Sequence, residues 1–155
     1  PARAELLIAT TRHIDEKKNI EARLASSRNA ETGIDRLNAY IEAWGNYIPE
    51  IHGVARALMA LQDSDAAAKL AWEDRMHAVR EGCEAAIKAL RNDGVLSSDY
   101  TISKATDILW AMLSVGQWEL LTVTCGWSQS QYIKLTKVIA CRTLLNQKTY
   151  QMSRN

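Results

Sequence analysis

Residues 105–145 read ATDILWAMLSVGQWELLTVTCGWSQSQYIKLTKVIACRTLL. The first half of this stretch carries few charges and has apolar residues all round a helical projection, which predicts a helix covered on every face. Gly126 ends that helix and Ser128 caps the next, so we predict helices over about 101–125 and 129–146. The second helix is also apolar on two sides. Two neighbouring helices with surplus apolar surface indicate contact with a second copy of the chain.

The segment 66–92 has the clearest helical periodicity upstream of this stretch. Its apolar side chains recur at steps of three and four, Asp65 precedes it as an N-cap, and Gly94 follows it as a C-cap signal. Gly45 and Pro49 punctuate the region before it, because proline cannot donate a helical hydrogen bond. We therefore predict three earlier helices, over 2–26, from a cap at Asn29 or Thr32 to about Trp44, and over 54–61.

Length and composition agree with one all-α domain. The 155 residues are 47% apolar and 24% charged, which excludes disorder. Since no apolar run is long enough to span a membrane and no signal peptide is apparent, we expect a soluble, cytoplasmic protein. We predict a helical bundle of about six helices over 1–155, with a polar connecting helix at 2–26, a core at 29–146 and a polar tail at 147–155.

The cysteines and acidic residues give no indication of catalysis or metal binding. The three cysteines lie far apart, and none belongs to a CxxC pair. Cys83 and His77 are six residues apart on one helix, where their side chains diverge. The acidic pairs at 15–16 and 73–74 are typical of solvated helix faces. We expect no catalytic residue, no metal and no cofactor.

The tryptophans indicate a ligand pocket. The chain has five Trp, five Tyr and no Phe, so its aromatic side chains nearly all carry a polar group. Tryptophans and methionines on facing helices predict an adaptable apolar pocket with few polar groups, although the same residues could simply pack the core. We expect a small, largely apolar or aromatic effector, with an acidic group for Arg80. The expected ligand-binding residues are Trp44, His52, Met59, Trp72, Met76, Val79, Arg80, Cys83, Trp110, Leu113 and Gln117, with Val54 beside them.

Several short motifs, taken in order, resemble the closing helices of TetR-family transcriptional regulators. They are Leu109-Trp110, the Trp-Glu-Leu-Leu at 118–121, the Gly-Trp-Ser at 126–128, Tyr132 and Leu144-Leu145. Residues 71–76 and the turn at 90–96 are similar to the family's long helix and its exit. The resemblance covers residues 30–146 and extends loosely over 2–29. It implies a fold like that of the TetR C-terminal domain.

The resemblance also implies a function, that of an effector-binding and dimerisation domain. In the family, a small molecule bound there alters DNA binding by an N-terminal helix-turn-helix head. The sequence contains no such head, so we expect operator DNA to be bound only through a domain absent here. The five basic residues of 120–155, Arg154 among them, are too dispersed to predict nucleic-acid binding.

The resemblance further implies a homodimer. The helices at 101–125 and 129–146 would pair with their copies as an intermolecular four-helix bundle. The expected interface residues are Trp118, Leu121, Tyr132, Leu135, Ile139 and Arg142.

Two other interpretations stay open. One is a small helical-bundle enzyme, because residues 3–25 loosely resemble chorismate-mutase-like helices, with Arg3, Arg12 and Lys18 as cations that would clamp carboxylates. Such an enzyme needs several cations converging in one pocket. The other is a plain structural dimerisation module.

Overall fold

The computed structural model of the chain describes residues 2–153, which are almost entirely helical. The elements are α1 (Ala2–Lys17), α2 (Ile20–Arg28), α3 (Gly33–Leu61), α4 (Ala66–Asn92), α5 (Ile102–Met112), α6 (Val115–Glu119), a π-helical turn (Leu120–Thr124), α7 (Gln129–Leu144) and α8 (Gln147–Met152). No strand is present between residues 2 and 153, where the one β-type contact joins Leu96 to Leu145. The predicted all-α class is confirmed. None of the helices in this range is long and apolar enough to cross a membrane.

The two long helices, α3 and α4, lie antiparallel and pack closely along their lengths. A Cβ added to Gly33 would lie 2.7 Å from the backbone carbonyl carbon of Ala89. A Cβ added to Gly82 would clash with the ring of Tyr40. The Tyr40 hydroxyl donates to the carbonyl of Val79 at 2.8 Å, and burial raises the pKa of this phenol well above its usual value. The other helices pack on this pair: α1 and α5 on α4, and α2 and α7 on α3.

The polar helix predicted over 2–26 is two helices. Asn19 lies between α1 and α2 in the left-handed region, with φ of 57°, a conformation that asparagine adopts more readily than most residues. The turn sends α2 onto α3, where Ser27 Oγ donates to the carbonyl of Arg36 at 3.0 Å. Residues 2–28 contain neither Gly nor Pro, so the sequence pattern gave no signal of the break.

α3 runs unbroken through Gly45 and Pro49, so the predicted separation into two helices is wrong. Pro49 lacks the N–H that would bond to the Gly45 carbonyl four residues earlier. Gln129 on α7 supplies the missing donor, because its Nε2 donates to that carbonyl at 2.9 Å. A Cβ on Gly45 would collide with the side chain of Ile133 on α7. The two residues that predicted a break therefore form the site where α7 docks on α3.

α4 has the predicted bounds and caps. The Asp65 carboxylate accepts from the backbone N–H of Ala67 at 3.0 Å. Gly94 has φ of 70°, and the N–H of Val95 donates back to the carbonyl of Leu90 at 3.0 Å. Both caps are local, which is why the sequence pattern locates them.

The helix predicted over 101–125 is interrupted after α5. Ser114 Oγ accepts from the backbone N–H of Gln117 at 3.2 Å and starts α6, which continues into the π-helical turn. Serine is a strong N-cap residue, and here it outweighs the apolar periodicity on both sides. A single helix over 101–125 would place Trp110, Leu113 and Gln117 on one face at steps of three and four, and the break at Ser114 shows that this prediction is wrong.

The last part of the described chain is tied to the rest of the fold. α7 begins after Ser128 as predicted, and Gln131 completes a capping box in which Ser128 and Gln131 each accept from the other's backbone N–H. The predicted polar tail is wrong for 147–152, which form α8 behind the N-cap Asn146. The Asn146 N–H donates to the carbonyl of Val95 at 2.9 Å. Arg154 lies outside the described residues.

Candidate ligand-binding groove

A groove of about 1200 Å³ opens between α1, the end of α3, the first half of α4 and the α5–α6 corner. Its walls are mainly apolar and include two tryptophans and two methionines. Ala4 and Ile8 on α1 form one edge, and Ala111 and Val115 form the opposite one. Charged, aromatic and thioether side chains of the lining include Glu5, Met59, Trp72, Glu73, Met76, Arg80 and Trp110.

The sequence places these side chains through two local features. Trp72, Met76 and Arg80 follow one another at steps of four, so they lie along one side of α4. Trp110 is two residues from the end of α5, immediately before the corner that Ser114 makes. One side of α4 therefore forms one wall of the groove, and the C-terminal end of α5 contributes another part of the lining.

Arg80 is fully engaged within the chain. Its Nη2 donates to Asp107 Oδ1 at 2.7 Å, and its Nη1 lies 4.0 Å from Glu84 Oε2. The guanidinium carbon lies 5.9 Å from the centroid of the Trp110 ring, a cation–π distance. Nearby Lys88 holds the pKa of Glu84 below its usual value, so that carboxylate stays charged beside Arg80.

The helix α1 that borders the groove is attached to α4 by ion pairs. Arg3 lies 2.7 Å from Asp65, and Arg12 lies 3.0 Å from Asp74. Both arginines are more than half exposed, so each pair contributes little to stability. The chorismate-mutase-like interpretation requires cations that converge in one pocket. Arg3 and Arg12 instead pair with separate carboxylates.

A buried charged cluster joins α1, α3 and α4 below the groove. Asp15 accepts from the hydroxyl of Tyr47 and forms an ion pair with Arg75, whose Nε has no hydrogen-bond partner among the described residues. Burial raises the pKa of Tyr47 to about 12, and burial together with Arg12 lowers the pKa of Arg75. The sequence pattern did not indicate this cluster. The expectation that Asp15 lies on a solvated helix face is wrong, because α1 packs along α4 and buries it.

Five of the eleven residues expected to bind ligand line the groove: Met59, Trp72, Met76, Arg80 and Trp110. Four others lie in the core instead: Trp44, Val79, Cys83 and Leu113. The indole N–H of Trp44 donates to the carbonyl of Leu113 at 2.9 Å. Val79 and Cys83 continue the stripe of Trp72 and Met76, but α3 covers α4 at that depth, and burial raises the pKa of Cys83 to about 12.

The remaining two expected residues lie elsewhere. His52 Nε2 is 2.7 Å from Glu119 Oε1, and the ring packs edge-on against Trp118, with 4.8 Å between centroids. Gln117 is exposed on α6, beyond the break at Ser114. Val54, expected beside them, is 40% exposed. The predicted pocket therefore mixed residues from three separate environments.

The residues expected at a dimer interface differ in how exposed they are. Trp118 and Tyr132 are buried in their own chain: the Trp118 indole donates to Gln129 at 2.8 Å, and the Tyr132 hydroxyl lies 3.4 Å from the carbonyl of Met112. Leu121 is half-buried. Leu135 and Ile139 are 37% and 45% exposed, and Arg142 contacts the Tyr150 hydroxyl at 3.2 Å.

An exposed apolar surface nevertheless covers the outer side of α7 and the π-helical turn. Leu135, Val138 and Ile139 follow one another at steps of three and one along α7, and Leu120 and Val123 are 55% and 66% exposed on the turn. Such a stripe of branched side chains is typical of a helix–helix interface. We name these five residues the outer face.

A second groove, of about 1010 Å³, lies between α3, α7 and α8. Polar side chains such as Asn38, Glu42 and Lys137 line it, and Lys137 pairs with Glu42 across it. No tryptophan contributes to its described lining, so it offers less apolar recognition than the groove beside α1. Within residues 2–153, no cluster of three or more His, Cys, Asp or Glu is placed to hold a metal ion.

No protein-family model matches this sequence, and neither a curated protein nor a solved structure matches it.

Proposed function

We propose that the chain is the effector-binding and dimerisation domain of a TetR-like one-component transcriptional regulator. The observation that carries the proposal is the groove walled by Trp72, Met76 and Trp110 and bordered by α1. It has the size and apolar lining of a small-molecule site. The sequence motifs of the closing helices and the apolar outer face support the same proposal.

The groove is connected to the N-terminal helix in a way that suits regulation. Ala4 and Ile8 form its edge, so a ligand that enters between α1 and α4 acts directly on the position of α1. The left-handed turn at Asn19 separates α1 from α2, which stays on α3. A DNA-binding head joined ahead of α1 would follow its movement.

Native mass spectrometry of gently purified protein tests the ligand part of the proposal. We expect a bound small molecule on the wild type and its loss in Ala111→Trp, because Ala111 is exposed at the groove edge and an indole there fills the groove. Ala60→Trp is the matched control, since Ala60 is exposed outside the groove. Equal binding by the two variants would contradict the assignment of the groove.

Hydrogen–deuterium exchange tests the regulatory part. Bound ligand is expected to change the exchange of α1 amides more than that of α7 amides, because α1 is the groove edge. A change confined to α7 would contradict the proposed coupling.

We propose that the outer face pairs with its copy in a homodimer, with α7 at the two-fold axis. The double variant Leu135→Glu, Ile139→Lys is expected to sediment as a monomer, whereas the wild type sediments as a dimer at micromolar concentration. Leu6→Glu is the control, because Leu6 is 66% exposed on α1. A monomeric wild type would refute this part and leave the groove unaffected.

A further inference from the structure

We propose that the groove selects an organic cation with aromatic or bulky alkyl substituents. This inference rests on the proposed function, since it names the class of ligand for the same groove. It differs from the sequence-based expectation of an acidic group for Arg80, and three features of the groove carry it.

The first feature is that Arg80 is already neutralised. Asp107 and Glu84 both approach its guanidinium, at 2.7 Å and 4.0 Å. A ligand carboxylate would have to displace Asp107 or lie beside it, and like charges at such a distance repel. Arg80 therefore attracts an anionic ligand less than its formal charge suggests, and it also repels a cationic ligand less.

The second feature is the surplus of carboxylates on the lining. The lining contains three carboxylates, those of Glu5, Glu73 and Asp74, and one guanidinium, that of Arg80; of the three, Asp74 is paired with Arg12. Glu73 is only loosely paired, with 3.8 Å to Lys69, and Glu5 has no ion pair or hydrogen bond of its side chain among residues 2–153. Two carboxylates at the rim thus retain the capacity to pair with a cation.

The third feature is the aromatic wall. The Trp110 ring already accepts a cation, because the Arg80 guanidinium lies 5.9 Å from its centroid. Trp72 is a second indole of the lining, and Met59 and Met76 add adaptable thioethers to it. Aromatic rings beside carboxylates attract a poorly hydrated organic cation through its charge and its apolar surface together.

Two ions of nearly the same shape and opposite charge test the inference: tetraphenylphosphonium and tetraphenylborate. Titration calorimetry with the intact chain is expected to show the phosphonium binding about tenfold more tightly. Its affinity should fall as salt rises, as for a partly exposed charge interaction. The formal net charge of the chain is +1, so non-specific attraction would favour the borate instead.

Variants locate the effect in the groove. The double variant Glu5→Gln, Glu73→Gln is expected to weaken phosphonium binding about three- to tenfold, with two exposed ion interactions removed. Glu31→Gln is the control, because Glu31 is exposed and outside the lining. Ala111→Trp should abolish binding, and Ala60→Trp should not.

The outcomes separate the two proposals. Equal or tighter binding of the borate, blocked by Ala111→Trp, would overturn the cation inference and leave the groove as a ligand site. Phosphonium binding that survives Ala111→Trp, or no binding of either ion, would overturn the inference as well. If native mass spectrometry also finds no small molecule on the groove, the proposed function fails with it.

Discussion

Replacing Trp44 by alanine is expected to destabilise the protein far more than the same change at Trp110. Trp44 is 4% exposed, and its indole N–H bonds to the Leu113 carbonyl. Its removal leaves a cavity and an unpaired carbonyl, a change that costs about 3–5 kcal/mol. Trp110 is half-buried and borders the open groove. Water fills the space it leaves, so we expect a loss of about 1–2 kcal/mol.

Urea unfolding followed by far-ultraviolet circular dichroism measures both values, because the helical signal does not depend on the tryptophan removed. For a domain of this size the expected losses correspond to Tm decreases of roughly 6–20 °C for Trp44→Ala and roughly 2–8 °C for Trp110→Ala. Trp110→Ala should also weaken ligand binding, whereas Trp44→Phe should not. Equal destabilisation by the two alanine variants would refute the division into core and groove.

Three further predictions follow from contacts elsewhere in the fold. Gly33→Ala should destabilise the protein by about 1–3 kcal/mol, since the added Cβ clashes with the backbone of α4. Gly53→Ala, with open space around it, should stabilise the protein by about 0.5–1 kcal/mol, and urea midpoints of the two variants that shift in the same direction would contradict this. Iodoacetamide at neutral pH should modify exposed Cys125 and spare Cys83, because burial raises the pKa of the Cys83 thiol to about 12 and keeps it protonated. Mass spectrometry of the labelled peptides measures this, and early labelling of Cys83 would contradict it. Gln129→Leu should lower the free energy of unfolding by about 1–3 kcal/mol, because a carbonyl of α3 loses its donor; a neutral effect on the urea midpoint would count against that role.

The sequence predicts those parts of the fold that local chemistry decides. The bounds of α4 and the start of α7 were found because Asp65, Gly94 and Ser128 each act on backbone groups within a few residues. The break at Ser114 was missed although it is also a local cap, because the apolar pattern continued on both sides of it. The turn at Asn19 has only a weak local signal, the tolerance of asparagine for the left-handed conformation, and α1 and α2 pack on different helices on either side of it.

The candidate site was predictable by residue type and less so by position. The periodicity of α4 groups Trp72 and Met76 with Val79 and Cys83, and all four do lie along one stripe. How far α3 covers that stripe depends on how closely the two helices approach each other at Gly33 and Gly82, which no pattern within α4 contains. Depth below the surface, which separates a groove residue from a core residue, therefore had to come from the structure.

The Gln129 hydrogen bond has a consequence for the order of folding. The carbonyl that Pro49 leaves without a helical donor is satisfied by a side chain 84 residues further along the chain. Until α7 arrives, the Gly45 carbonyl must stay solvated, and a peptide that ends before α7 should bend or fray near Pro49. Contacts of such large sequence separation form late, because the intervening loop must close first. The hydrogen bond to the Gly45 carbonyl in the middle of α3 thus needs a residue from the last quarter of the sequence. During synthesis this bond forms only after the ribosome has released Gln129.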